Sequence, residues 1–471
     1  YWTHTVPESS IHIEKLFLNW GRRIEYFSLF FIMFSAIKKR AHALWMMIIF
    51  AASTLIIGLY GVGQKYLLWP VYSTMNREFS KGLQLYLTPH ARVQSTFGGH
   101  YDFAAFLVMA LPITLVLAFY VKKKWMKVVL YISFLVGLWG MMMTSSRSSF
   151  LAYVAAITLL MIFLMFRKGF LWAFSRLVVI YLITGLFFMY FGDLLDRFGQ
   201  IFKDNQAFSA LQQSVASAKQ ITDLTVAAPP SNGISIEDVS KAVIAAAQKQ
   251  DAGVVTQSDT LPAVAQLPPD VFDNIPDQVI ATKSAQGKDI EVVIPRVFSD
   301  NAHRLGLSAA IRLDTLWPFA IRGFLRNPLF GSGYSTLTKY TTDEFTEAES
   351  TDNDFLRTLG ETGALGFVTF YGIMIVASVK LWKDARKTDD ELTTYFAMVF
   401  TAITIGLFVN AVYIDVFVSS KVAETYWMLA GIMLAYGLIT RHTAAQADTE
   451  TSSLAPVRSQ VKAKGSKRKK A

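Results

Sequence analysis

Four arginines of this 471-residue chain are its strongest candidates for binding chemistry. Arg92 precedes the polar, glycine-containing run 95–102, Arg147 lies in a serine-rich turn, and Arg312 and Arg322 follow a long polar stretch. A guanidinium group offers five donors in a planar fork that matches phosphate oxygens. Converging arginines of this kind predict a diphosphate site. The alternative is that each one reaches to lipid headgroups or caps helix carbonyls by itself.

A second candidate site lies at Asp352 and Asp354, which stand two residues apart. Two carboxylates at this spacing can chelate a divalent cation. A capped helix N-terminus is the alternative interpretation of the same residues. Gly331 and Gly333 permit a tight turn, but no strand or glycine-rich dinucleotide motif accompanies them.

Hydrophobic segments of helical length must position these residues. Hydrophobic residues make up 53% of the chain, charged residues 17%, and the mean hydropathy is +0.35, which is too apolar for a soluble protein of this length. We therefore expect an all-α, polytopic transmembrane helix bundle of about nine helices, since runs of about 17 to 25 apolar residues can cross a membrane. The predicted spans are 24–40, 43–63, 103–121, 128–144, 149–166, 171–191, 363–381, 392–413 and 423–440.

Basic residues at every second connector predict the orientation, because short cytoplasmic loops retain Lys and Arg. These connectors contain Lys38 to Arg40, Lys122 to Lys127, Arg167 to Arg176 and Lys380 to Lys387. The loops expected outside are 64–102, 145–148, 192–362 and 414–422. The first span would then run from outside to inside, which predicts an odd number of further helices upstream.

The spans divide the chain into two membrane parts, an outer loop and a tail. The bundle is predicted to comprise residues 1–191 and 363–440, with the extracytoplasmic loop 192–362 between them and a disordered basic cytoplasmic tail at 441–471. Within the loop, the Ala- and Gln-rich insert 205–290 is expected to be partly disordered, with helical pieces around 206–220 and 236–249. A surface helix is predicted over 299–327, bent at Pro318 and ended by Asn327-Pro328.

Composition excludes some classes of site. The chain has no cysteine, so disulfides and thiolate-metal sites are impossible. Its net charge of +10 indicates topology and contact with anionic lipid rather than nucleic-acid binding, because the basic clusters lack interleaved aromatic residues.

The order of these motifs resembles the O-antigen ligase and polymerase superfamily, multi-helix membrane proteins that use polyprenyl-diphosphate-linked glycans. The resemblance spans about residues 85–370, apart from the insert. Its motifs are Arg92 with 95–106, Ser146-Arg147, Arg312 with Trp317, 327–333, Asp352-Asn353 and 361–363.

The resemblance implies a glycosyltransferase of the bacterial inner membrane that acts on the extracytoplasmic face. It would transfer or polymerise glycan from an undecaprenyl-diphosphate donor onto the hydroxyl of a glycan or lipid acceptor, in contact with membrane lipid and without a metal or cofactor. The implied diphosphate ligands are Arg92, Arg147 and Arg312, to which we add Arg322 and Asn353. The family commonly has His-Asn where this chain has Asp352-Asn353, so the acid/base candidates are His100, Asp102, His303 and Asp352.

Two other functions remain open at this stage. The first is a metal-dependent glycosyltransferase that uses a polyprenyl-phosphate sugar, with Asp352 and Asp354 on the cation. The second is a transporter or flippase for a lipid-linked glycan, although transporters carry pathway residues near the bilayer midplane. The choice between ligase and polymerase, the sugar, the acceptor and the oligomeric state are also open.

Overall fold

A computed structural model describes residues 13–72, 85–88, 91–199, 278–283, 289–294, 307–337 and 351–467. Three sequence predictions lie outside these residues: the helical pieces of the insert, His303 and the beginning of the surface helix at 299.

Among the described residues, nine long helices coincide with the nine predicted spans, and the predicted all-α polytopic bundle is confirmed. They are α1 (Ile13–Ala36), α2 (Arg40–Tyr66), α3 (His100–Tyr120), α4 (Lys124–Met143), α5 (Arg147–Lys168), α6 (Phe170–Tyr190), α10 (Asp354–Ala385), α11 (Glu391–Ala411) and α12 (Ser420–Lys467). Short elements in the long loop are α7 (Leu194–Gly199), β1 (Gln278–Lys283), β2 (Asp289–Ile294), α8 (Leu307–Ala310), a π-helical turn (Ile311–Leu316) and α9 (Trp317–Arg326).

Eight helices in the described part of the chain are long and apolar enough to cross a membrane. These eight make the chain a multi-pass membrane protein. Helix α1 is not among them, because Arg22, Arg23 and Glu25 interrupt its apolar run.

Helix α3 lies at the centre of the bundle. All its residues from Phe103 to Ala118 are buried, and it packs against α4, α5 and α11. A membrane helix that is apolar on every side can be surrounded by lipid or by other helices, and the burial of α3 shows that other helices surround it. The first turn of α3 therefore has a fixed position, and with it the polar run that precedes the helix.

The end of the bundle that carries the long polar loop, here called the loop end, also carries the first residues of α3, α5, α10 and α12. Hydrogen bonds join its segments: Gln64 Nε2 donates to Ser95 O at 2.9 Å, and Val93 N donates to Met143 O at 3.1 Å. The opposite end, here called the basic end, carries the predicted basic connectors. There Lys168 pairs with Glu391, and Arg40 Nη1 lies 3.8 Å from Asp390 Oδ1.

A π-helical turn stands where the sequence predicts a bend at Pro318. It spans Ile311–Leu316, directly before this proline, and helical dihedral angles continue through Leu316 and Trp317 into α9. Such a turn is one way in which a helix accommodates a proline, which has no N–H to donate. The predicted end is confirmed, since α9 stops at Arg326.

Helix α10 begins at Asp354, nine residues before the span predicted from residue 363. Gly363 interrupts it with φ 66° and ψ −170°, so the apolar span starts at a real break. The turn that follows α9 packs on this break: Ala364 N donates to Pro328 O at 2.8 Å, and Gly333 N donates to Glu361 O at 2.8 Å.

Two elements depart from the sequence predictions. The tail was expected to be disordered, but α12 continues beyond the apolar span to Lys467. In the long loop, β1 and β2 form an antiparallel hairpin in which Gln278 pairs with Ile294 and Lys283 with Asp289. Alternating apolar residues in 289–294 suit a strand.

Replacing Gly363 with alanine should destabilise the protein. A Cβ at this position would lie 2.5 Å from the carbonyl of Leu329 and 2.6 Å from Gly331 N. The positive φ alone costs a side chain roughly 1–3 kcal/mol. Thermal unfolding in detergent should therefore show a lower Tm for Gly363→Ala. Gly372→Ala is the matched control, because nothing lies within 4 Å of a Cβ there; equal Tm values for the two variants would contradict the packing described.

Candidate functional site

Four arginines from different segments gather at the loop end: Arg92, Arg147, Arg197 and Arg312, here called the arginine cluster. Arg92 precedes α3, Arg147 begins α5, Arg197 lies on α7 and Arg312 lies in the π-helical turn. All four are partly buried. The charges of Arg92 and Arg312 act on Arg147, and those of Arg92 and Arg147 act on Arg197. Arg92, Arg147 and Arg312 are therefore near enough for their charges to interact, with Arg197 as a fourth member; that they form a diphosphate site stays a prediction.

Arg92 is held by two residues of the first turn of α3. Its Nη1 lies 2.6 Å from His100 Nε2 and 3.4 Å from the hydroxyl of Tyr101. A guanidinium only donates, so Nε2 must accept and the ring must be neutral. His100 thus orients Arg92. Its Nε2 atom, which would have to accept a proton if His100 were the catalytic base, already accepts a hydrogen bond from Arg92.

Arg147 and Arg197 connect α5 to α7. Arg147 Nη1 donates to the backbone oxygen of Arg197 at 3.3 Å, and Asp193 N donates to Ser145 Oγ at 3.4 Å. Burial lowers the pKa of Arg197, and the charges of Arg92 and Arg147 lower it further, against the opposing effect of Asp193. Bringing these like charges together is unfavourable, and a bound anion would relieve the repulsion.

Arg312 and Asp352 form an ion pair, with Nη2 3.1 Å from Oδ2. Asp352 has a φ of 49°, in the left-handed region that side chains rarely adopt. Ser95 and Ser145, close in sequence to Arg92 and Arg147, also have positive φ. Such strained residues persist only where their surroundings hold them and are common at functional sites.

A buried network of charged residues holds the backbone around Asp352. Asp415 accepts from Thr351 N at 3.3 Å and Asn353 N at 3.0 Å, and Arg357 Nη1 donates to Asp415 Oδ2 at 2.9 Å. Arg357 Nε also lies 3.4 Å from Glu361 Oε1. The two residues that flank Asp352 are therefore fixed by a carboxylate between α11 and α12.

Two other predicted site residues, Arg322 and Asn353, have partners within their own helices. Arg322 is exposed on α9, donates to Pro318 O at 3.3 Å and stacks over Phe319 at 4.4 Å. Asn353 caps α10, because its side-chain oxygen accepts from Leu356 N at 2.9 Å. Helix geometry thus accounts for both residues, and we leave them out of the site.

The predicted carboxylate pair is divided between different partners. Asp352 pairs with Arg312, whereas the buried Asp354 accepts from Phe417 N at 2.7 Å. Among the described residues, no group of three or more His, Asp or Glu side chains is arranged to hold a metal ion.

The predicted acid/base candidate Asp102 lies beside Ser419 and Lys421 at the loop end.

Sequence reasoning missed Arg197, Arg357 and Asp415. Arg197 lies on a six-residue helix that no apolar span or glycine motif marks. Asp415 did carry a signal, because it is the one acidic residue in the predicted outer loop 414–422. A carboxylate beside two membrane spans needs a partner, and arginine is the usual one.

No model of a known protein family matches the chain, and no curated protein matches it. The resemblance to O-antigen ligases and polymerases accordingly stays a prediction.

Binding of inorganic pyrophosphate should depend on Arg197 and not on Arg322. Arg197→Gln removes one charge from the arginine cluster, which should weaken binding about tenfold or more, since a hydrogen bond to a charged group contributes about 1.5–3 kcal/mol. Arg322→Gln removes the same charge from an exposed position on α9. Titration calorimetry of both purified variants distinguishes them. A loss of affinity in Arg322→Gln, with Arg197→Gln unchanged, would exclude the arginine cluster as the anion site.

Proposed function

We propose that this protein is a membrane glycosyltransferase of the O-antigen ligase or polymerase type. It transfers or polymerises glycan from a polyprenyl-diphosphate-linked donor onto an acceptor hydroxyl at the extracytoplasmic face of the bacterial inner membrane. The observation that carries the proposal is the arginine cluster itself. Four partly buried guanidiniums of separate segments, gathered at the end of a membrane bundle, suit a lipid-linked diphosphate better than any other common ligand.

In the proposed reaction the acceptor oxygen attacks the anomeric carbon of the donor glycan. A new carbon–oxygen bond forms there, with inversion, while the bond to the lipid diphosphate breaks and its electron pair leaves with the diphosphate. Arg92, Arg147, Arg197 and Arg312 stabilise the charge that develops on the leaving group. No cofactor is required by this chemistry.

The acceptor proton goes to a carboxylate, and Asp352 is the candidate placed beside the arginine cluster. An arriving diphosphate competes with Asp352 for Arg312, which would loosen the 3.1 Å ion pair and leave the carboxylate able to accept a proton. Asp102 is the second candidate, since its neighbours Ser419 and Lys421 also lie at the loop end.

The geometry gives less support to the two alternatives. A metal-dependent enzyme would use Asp352 and Asp354 on one cation, whereas these carboxylates face Arg312 and Phe417 N. A transporter needs ionisable groups near the midplane. In α10 the buried residues that carry a charge lie near its ends, with Asp354, Arg357 and Glu361 in the first turns and Asp384 in the last.

Cysteine labelling in intact cells tests the proposed orientation, because the native chain contains no cysteine. Thr96 is exposed at the loop end, and Asp389 is exposed between α10 and α11 at the basic end. A membrane-impermeant maleimide should label Thr96→Cys in intact cells and Asp389→Cys only after permeabilisation. The reverse pattern would place the arginine cluster in the cytoplasm and contradict the proposal.

Glycan transfer from undecaprenyl-diphosphate oligosaccharide should fall about a hundredfold in Arg92→Ala and in Arg312→Ala, because removing one charge-stabilising donor costs about 3 kcal/mol. Products are measured by mass spectrometry with the purified variants. Addition of EDTA should leave the rate of the native protein unchanged.

Arg326→Ala is the control for these variants, since Arg326 is an exposed arginine at the end of α9. It should retain the native rate. Normal transfer by Arg92→Ala and Arg312→Ala proteins that insert correctly would defeat the assignment, and loss of transfer with EDTA would favour the metal-dependent alternative.

A further inference from the structure

A cavity of about 210 Å³ lies between α1 and α10. Arg23 and Phe27 line it from α1, Thr362, Thr369 and Ile373 from α10, and Tyr334 from the turn after α9. No member of the arginine cluster lines it. The cavity is therefore a separate site, and its properties do not depend on the proposed function.

One end of the cavity is polar. Glu361 lines it and is only 4% exposed, with Oε1 accepting from Ser335 N at 3.2 Å. Arg23 stands opposite, and one of its nitrogens donates to Phe417 O at 2.8 Å. Burial raises the pKa of Tyr334, whose hydroxyl is protonated at neutral pH and can donate a hydrogen bond. Carboxylate, guanidinium and phenol together offer both acceptors and donors.

The other end is apolar and opens at the surface of the bundle. Phe27 and Phe370 form its wall, with ring centroids 6.2 Å apart. Thr369 and Ile373 lie four residues apart on one face of α10, and Thr362 lines the cavity just before the Gly363 break. Thr369 and Ile373 are exposed, so this end faces the region that lipid chains occupy around a membrane bundle.

We propose that the cavity binds an amphiphile with an uncharged, hydroxyl-rich headgroup, such as a glycolipid. Glu361 accepts hydrogen bonds from sugar hydroxyls, Arg23 and Tyr334 donate to their oxygens, and the lipid chain lies along Ile373. Glu361, which lines the cavity and is paired with Arg357, repels anionic oxygens and so disfavours an anionic headgroup. The volume is below the roughly 300 Å³ of a drug-sized pocket, so it accommodates about one sugar ring.

Photolabelling of the full chain in phosphatidylcholine nanodiscs tests this proposal. Three probes carry the same diazirine on a decyl chain: decyl glucoside, decyl phosphate and decane. Peptides that contain residues 362–373 should be labelled about tenfold more by the glucoside than by the other two, since two or more hydrogen bonds distinguish the headgroups. Equal labelling by decane would show an apolar crevice only, and stronger labelling by decyl phosphate would show an anion site; either result overturns the proposal.

Two variants localise the interaction. Thr369→Trp should close the mouth of the cavity and abolish glucoside labelling, whereas Val368→Trp, at a neighbouring position that is 66% exposed and does not line the cavity, should have no effect. Tyr334→Phe keeps the ring and should reduce labelling severalfold. Unchanged labelling in Tyr334→Phe, or equal losses in the two tryptophan variants, would contradict the proposed recognition.

Discussion

Repulsion among like charges is the constraint on which the site depends. Arg92, Arg147, Arg197 and Arg312 come from four segments, and each is partly withdrawn from water at one end of a membrane bundle. Desolvated cations of one sign raise the free energy of the folded state unless anions compensate them. Within the described residues Asp352 and Asp193 supply part of that compensation. In the proposed function a diphosphate provides the remainder, and the repulsion that lowers stability would then contribute to the affinity for that ligand.

The buried network around Arg357 makes this arrangement possible. Its ion pairs with Asp415 and Glu361 connect the start of α10 to the turn between α11 and α12. Breaking one such buried pair typically costs about 3–5 kcal/mol, because the remaining charge loses its partner. The network therefore holds Asp352 at its unusual φ and keeps it within reach of Arg312. At the Gly363 break, backbone hydrogen bonds attach the turn that follows α9 to α10.

Apolar length predicted eight of the nine spans, because hydrocarbon thickness sets helix length. The exception among the described residues is 24–40, where α1 is helical but is not apolar enough over a membrane-spanning length. Polar boundaries were less predictable: α10 begins at Asp354 because its polar first turns are satisfied by Asp415 and by the turn after α9, which are distant in sequence. Residue type identified Arg92, Arg147 and Arg312, since each belongs to a polar motif beside a span. It also suggested Arg322 and Asn353, because sequence does not reveal which helix face meets the site or which amide caps a helix.

The sequence could not predict that Arg197 belongs to the arginine cluster, because its position depends on how the six-residue helix α7 packs beside α5.

The central claim is that all four guanidiniums hold one diphosphate, and a cryo-electron microscopy structure with bound undecaprenyl diphosphate tests it most directly. If it is correct, the map will show phosphate density in contact with Arg92, Arg147, Arg197 and Arg312, and the Arg312–Asp352 pair will be open. Phosphate density beside Arg23, or bound protein with the arginine cluster empty, would contradict it.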